Sequence, residues 1–163
     1  MEPVAPLGKI LLYVDATESS LTAARYAIAL AKTYGAELHA LYVVNERILL
    51  ELLRARVFVE EEEVDLERDL EEDGRRHLVF IKRLAQTKGV AVTTELRKGI
   101  IHAEVVHKAA EMDVSLIIMG EIEAPVSRRD SFYDDAEIIL WTAGCPVLIV
   151  KGEALVDRFY DSA

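Results

Sequence analysis

The sequence predicts a doubly wound α/β domain, with a five-stranded parallel sheet of order 3-2-1-4-5 and helices on both faces. Two nearly continuous apolar runs, Lys9–Val14 (KILLYV) and residues 114–119 (VSLIIM), read as strands buried on both faces and therefore central. Strand-like and helix-like stretches alternate along the whole chain, as parallel strands require, because they are joined by right-handed crossovers. At 163 residues and 52% hydrophobic, the chain can bury one core without disulfides. Residues 1–163 are read as a single domain, with its core at 9–151 and a tail at 152–163.

The first strand is bounded by Gly8 and Asp15. Apolar residues then fall at Leu21, Ala24, Ile28 and Ala31, with Thr17, Ser19 and Ser20 available as caps and Gly35 behind the last turn, which predicts a helix. Residues 37–44 (ELHALYVV) make the second strand and 89–96 (GVAVTTEL) the third. Between them, about 46–88 is an acidic helical insertion, whose residues 60–73 carry ten acids against one base. Such a run is the solvated face of a crossover helix, or alternatively a docking face for a basic partner. Upstream of it, Ile48, Leu49, Leu50, Leu52, Leu53 and then Val57, Phe58 and Val59 form an apolar connector that calls for a lid role or a partner. Gly99 precedes a third helix (Ala103, Val106, Ala110), and residues 114–119 form the fourth strand, ending at Gly120. The last helix reads Phe132, Ala136, Ile139, Leu140, Ala143, and Gly144-Cys145-Pro146 stops it before the fifth strand, Val147–Val150.

This order puts the switch point between strands one and four, so a ligand crevice is expected where Asp15 and Gly120 end them. Nineteen basic residues against 29 acids give a net charge of −10, which opposes nucleic-acid binding by counterion release. One cysteine, Cys145, excludes a disulfide scaffold and points to a reducing, cytoplasmic setting. No signal-peptide pattern and no apolar run of membrane-spanning length is present, so neither nucleic acid nor membrane is expected as a partner. His39, His77, His102 and His107 do not share a ligand spacing, and no HExxH, P-loop or GxSxG motif occurs. No catalytic or metal-ligating residue is therefore assigned; a hydrolase on this scaffold would rest on fold analogy alone.

The strings KILLYVDATESSLTAARYAIALA, LYVV, VSLIIMG and AEIILWTAGCPVLIVK resemble the universal stress protein family from Lys9 to Lys151. The resemblance implies the fold derived above, a homodimer joined through the last strand from Pro146 to Lys151, and, in many members, ATP between strands one and four. On it, Asp15 matches the aspartate that ends strand one, Val44 lies in the adenine pocket, and Gly120 opens the phosphate loop. That loop reads Gly, two residues, Gly, nine residues, Gly, then Ser or Thr, so that backbone amides can approach the phosphates. Counted from Gly120, Glu123, Tyr133 and Asp134 stand at the three later positions. Residues 121–135 hold five acids against Arg128 and Arg129, a net of −3 where a triphosphate would sit. Ser131-x-x-Asp134 fits a capping box, and Asp134 and Asp135 fall in a helical first turn whose dipole favours carboxylates. The expectation is a non-enzymatic stress-response homodimer that works through an unknown protein partner and binds no ATP and no other cofactor. The alternative is a member that binds ATP or AMP with Mg, in which Arg128 and Arg129 replace the missing glycine amides.

Overall fold

A computed structural model describes residues 7–55, 60–121 and 131–163, with side chains for all of these except 60–63 and 131–134. Parallel strands β1 (Lys9–Val14), β2 (Glu37–Asn45), β3 (Val92–Gly99), β4 (Leu116–Gly120) and β5 (Val147–Val150) form one sheet of order β3-β2-β1-β4-β5, as the sequence predicts. The helices among the described residues are α1 (Glu18–Tyr34), α2 (Glu46–Ala55), α3 (Glu60–Thr87), α4 (Ile101–Met112), α5 (Ser131–Thr142) and α6 (Glu153–Ser162). None of them is long and apolar enough to cross a membrane.

Alternation along the strands divides the core in two. Ile10, Leu12 and Val14 pack with Ala24, Ile28 and Ile81 on the side of α1, α3 and α6, while Leu11 and Tyr13 pack with Val105, Ala136 and Ile139 on the side of α4 and α5. Each fully buried Leu or Ile stabilises the fold by about 1.5–3 kcal/mol, which is why the central strands read as unbroken apolar runs. At the start of α1, Thr17 is the cap among the three candidates, its Oγ1 accepting the Ser20 N–H at 3.2 Å. Gly35 ends the helix at φ 67°, a left-handed turn that favours glycine.

Two strand starts differ from the sequence expectation for the same reason. Residues 89–91 close α3, with the Val90 N–H donating to the Ala85 carbonyl at 2.9 Å, so β3 begins at Val92 and runs on through the polar residues to Gly99. Likewise the Val114 N–H donates to the Ala109 carbonyl at 3.1 Å, behind Asp113 in a left-handed turn, and β4 begins only at Leu116. The tail forms α6 and packs on its own chain. Val156 is buried, Phe159 meets Tyr26 with ring centroids 5.4 Å apart, Asp157 pairs with Arg25 at 3.3 Å, and the Tyr160 hydroxyl donates to the Leu84 carbonyl at 2.9 Å.

The edge strand β3 carries its charges inward, against α4. Glu95 accepts from Lys108 Nζ at 2.7 Å, from Arg97 Nε at 2.6 Å and from His39 Nε2 at 3.2 Å. Because a carboxylate only accepts, His39 carries its proton on Nε2, and its buried Nδ1 is a bare lone pair without a partner among the described residues. Burial opposes ionisation of Glu95, but the hydrogen bonds and charges of Lys108 and Arg97 outweigh it and hold the carboxyl at about 2.

Candidate functional site

At the carboxyl ends of β1 and β2 the chain encloses a cavity of about 360 Å³, lined among the described residues by Tyr13, Asp15, Ala16, Thr17, Ser19 and Glu121 on one side and by Tyr42, Val43, Val44, Asn45, Ile48, Leu70 and Ile101 on the other. This is the crevice that the strand order predicts, beside the β1–β4 switch point. Each wall follows from local sequence. Asp15 ends β1 with a tight turn, its Oδ1 accepting the Thr17 N–H at 2.8 Å, and its own N–H donates to Ser20 Oγ at 2.9 Å. Asn45 ends β2 and caps α2, accepting the Arg47 N–H on Oδ1 at 3.0 Å, and Ile48 in the first turn of that helix lines the cavity. Of the apolar connector, Ile48 lines the cavity and Leu49 is buried, while Leu50 and Leu52 of the same helix are exposed. Val57, Phe58 and Val59 lie outside the described residues.

The tyrosines were not singled out by sequence reasoning, because a Tyr in an apolar strand reads as core. Tyr13 is 3% exposed, and burial, then the charges of Asp15 and Asp135 and the nearby Tyr42, push its phenol well above its usual range, so it remains a donor. Tyr42 is raised too, by burial and then by Asp73 and Asp15. Its ring is held by α3 at Gly74, where an added Cβ would stand 2.7 Å from Tyr42 Cδ1 and 2.8 Å from Leu96 Cδ1. A glycine within a helix costs about 1 kcal/mol relative to alanine, and here it admits the tyrosine that forms the pocket wall.

Of the residues picked out from the sequence, Asp15 and Val44 line the cavity. Gly120 ends β4 for a packing reason: a Cβ there would lie 2.7 Å from the Ser19 carbonyl carbon in the first turn of α1. Glu123, Arg128 and Arg129 lie outside the described residues, and the side chains of Tyr133 and Asp134, within α5, are also outside them. Glu121 lines the cavity and pairs with Lys151 at 3.4 Å.

Asp135, near the start of α5, has hydrogen-bond partners outside its own helix. It is 1% exposed and reaches across to α4, where its Oδ1 accepts the backbone N–H of His102 at 3.3 Å and also the ring Nδ1–H of the same residue. The cap residue of α4, Ile100, offers no side-chain acceptor, so Asp135 supplies the missing cap from another helix. Its Oδ2 has no partner among the described residues. No sequence spacing could have shown this, since His102 and Asp135 are 33 residues apart. The one cysteine, Cys145, has its thiol pushed up by burial, against a hydrogen bond from the Ile117 backbone, which disfavours the thiolate.

Residues 6–151 match the family model described as the Universal stress protein family, which leaves α6 outside the match. The chain is 33% identical over 143 residues to Universal stress protein MJ0531 of Methanocaldococcus jannaschii, covering 88% of this chain and 81% of that protein. The solved structure of MJ0577, a protein of the same organism, superposes with a TM-score of 0.72 at 27% identity, over 90% of this chain and 96% of that one. A universal stress protein from Archaeoglobus fulgidus, solved in complex with dAMP, shares the fold with a TM-score of 0.58 at 16% identity, over 91% of this chain and 100% of that one. With the strand order, the crevice at the switch point and a family match across most of its length, this chain belongs to the universal stress protein family.

Proposed function

We propose that this chain is a stress-response regulatory protein that binds an adenine nucleoside or nucleotide in the cavity at the carboxyl ends of β1 and β2 and acts, without turnover, through protein contacts as a homodimer. The observation that carries the ligand reading is the cavity of about 360 Å³, with two tyrosines, four aliphatic side chains in Val43, Val44, Ile48 and Leu70, and Asp15 and Asn45 among its lining. Pockets of this size and make-up accept flat heteroaromatic ligands, with a few polar groups fixing their orientation. The complex of the Archaeoglobus fulgidus relative with dAMP, on the same fold, is consistent with such a ligand. Asp15 keeps Oδ2 for a ribose hydroxyl or an exocyclic amine while Oδ1 holds the turn.

Calorimetric titration of the purified protein with adenosine, AMP and Mg-ATP, after acid extraction to reveal any co-purified nucleotide, tests the ligand. Micromolar binding of at least one of them is expected, and Asp15→Ala is expected to weaken it about tenfold, the loss of one hydrogen bond to a charged group. An unchanged affinity in that variant would remove Asp15 from the site.

The dimer reading rests on the contrast between the two sheet edges. β3 carries three charged residues, Glu95 and Arg97 turned toward α4 and Lys98 exposed, the protection that edge strands ordinarily carry. β5 is Val147-Leu148-Ile149-Val150, uncharged throughout, with its first three residues only half-buried. Beside it the last turn of α5 leaves Trp141 81% exposed. Leu148→Pro, which removes a backbone donor and forbids strand pairing, is expected to give monomers in light scattering. A dimer that survives this change would place the interface elsewhere.

A further inference from the structure

We infer that α3 is a self-association surface, which pairs antiparallel with α3 of another copy of this chain so that the acidic half of each helix lies on the basic half of the other. This surface is separate from β5 and from the ligand cavity, and depends on neither. Residues 60–73 of α3 carry ten acids and one base, whereas residues 74–87 carry four bases, Arg75, Arg76, Lys82 and Arg83, and no acid. The helix dipole favours this arrangement only in the first and last turns, and along the rest like charges three and four residues apart repel one another. A helix with its charges segregated in this way is complementary to a reversed copy of itself and repels a parallel one.

The charges stand on the face that the fold leaves outward. Gly74, Leu78, Ile81 and Ala85 are buried against the body of the protein. On the opposite side Asp65, Asp69, Glu72, Arg76 and Arg83 are exposed, and between the two arginines Val79 and Phe80 are 48% and 45% exposed. Among the described residues the ion pairs of α3 join Glu67 to Lys98, Glu71 to Arg75, Glu72 to Arg76 and His77 to Asp73, so Asp65, Asp69 and Arg83 stand outside them. The spacing fixes the register. Asp65 and Arg83 lie nine residues to either side of Gly74, and Glu72 and Arg76 two residues to either side. Eighteen residues are five whole helical turns, so Asp65 and Arg83 point the same way from positions about 27 Å apart. A two-fold axis at the level of Gly74 therefore sets Asp65 of each copy against Arg83 of the other, and Glu72 beside Arg76, each contact occurring twice. The same axis lays Val79 and Phe80 over the turn that holds Arg68, whose stem covers apolar surface and whose guanidinium suits an aromatic ring. One helix face is a small interface and its ion pairs reach solvent, so the association is weak and salt-sensitive.

The test is sedimentation of the full-length protein over a concentration series from about 10 to 500 µM, the range in which a small interface of this kind assembles. In about 0.1 M NaCl, where the net charge of −10 is screened beyond about 10 Å but paired side chains are not, the average mass is expected to rise with concentration above that of the smallest species. In about 1 M NaCl, with a screening length of about 3 Å, that rise should vanish. Asp65→Arg alone and Arg83→Asp alone should each abolish the rise, since each sets like charges against each other twice. The double variant should restore it. Within one helix the two positions are too far apart to compensate each other, so restoration requires two copies. Both positions are exposed, so all three variants should melt as the parent does, and the double variant serves as the check on folding. A mass independent of concentration in 0.1 M NaCl would overturn the inference, as would a rise that either single reversal leaves intact or that the double reversal fails to restore. Because β5 is unaltered in all of these variants, a dimer joined there persists whichever way the result falls.

Discussion

Gly120→Ala is expected to lower stability by about 2 kcal/mol and to abolish ligand binding in the crevice at the same time. The added Cβ would stand 2.7 Å from the carbonyl carbon and oxygen of Ser19 and 2.9 Å from Ser20 N, all backbone atoms that cannot swing aside. Overpacking of this kind costs about 1–3 kcal/mol because the element itself must move. What must move is the first turn of α1, and the Asp15 N–H bond to Ser20 Oγ moves with it. Asp15, Thr17 and Ser19 all line the cavity, so a shift there opens or distorts one whole wall. In a chain of this size a loss of about 2 kcal/mol lowers the melting midpoint by roughly 4–8 °C. Gly144→Ala is the control, since a Cβ there meets nothing within 4 Å and should leave both midpoint and affinity unchanged. A Gly120→Ala protein that melts and binds as the parent does would show that β4 and α1 are not in the close contact described.

The second large effect is expected at Glu95. Replacing it with glutamine keeps the shape but removes the carboxylate nearest to Lys108, itself 8% exposed, and to Arg97, leaving them Glu111, and leaves His39 without a charged acceptor. Breaking a fully buried pair in this way costs about 3–5 kcal/mol; with the Glu95 side chain 29% exposed, a loss of about 2 kcal/mol is the expectation at neutral pH. The pH dependence identifies the cause. The Glu95 carboxyl is held at about 2 in the fold against 4.5 when free, so its contribution is complete above about pH 4.5 and is lost as pH falls toward 2. The difference in urea midpoint between parent and Glu95→Gln should therefore be largest at neutral pH and close between about pH 4.5 and 2. A difference that persists undiminished at pH 2 would mean that shape, and not charge, is what Glu95 contributes. His39 acts earlier on the same titration. Burial lowers its pKa from 6.5, so below that pH the unfolded chain takes up a proton that the folded one resists, and stability falls with pH from there.

The sequence is legible wherever the physics is local or periodic. Unbroken apolarity marks β1 and β4 because both faces of a central parallel strand are covered, and the order of the sheet follows from them. Helix ends were readable where a single side chain decides them, as at Thr17 and Gly35. Boundaries failed where a helix closes into the next strand, since Val90 and Val114 have strand-like side chains but donate their amides to the preceding helix. The polar half of β3 was missed because its charges are satisfied by α4, from residues distant in the chain.

The position of the site was likewise legible, and its chemistry was not. The switch-point rule put it at Asp15 and Gly120, and the family resemblance added Val44. By itself the sequence determined the fold class, the strand order and the crevice end of the sheet, because these follow from apolarity and alternation along the chain, while the departure of Glu123, Tyr133 and Asp134 from a glycine loop is visible only against the family it resembles. Only the tertiary structure decided that Tyr13 and Tyr42 wall a cavity, that Ile48 joins its lining, that Asp135 caps α4 through His102, and that the tail folds back as α6 onto α1. Those four depend on groups brought together from different elements, and neither the hydrophobic period nor the capping chemistry of one segment carries information about which distant side chain will complete it.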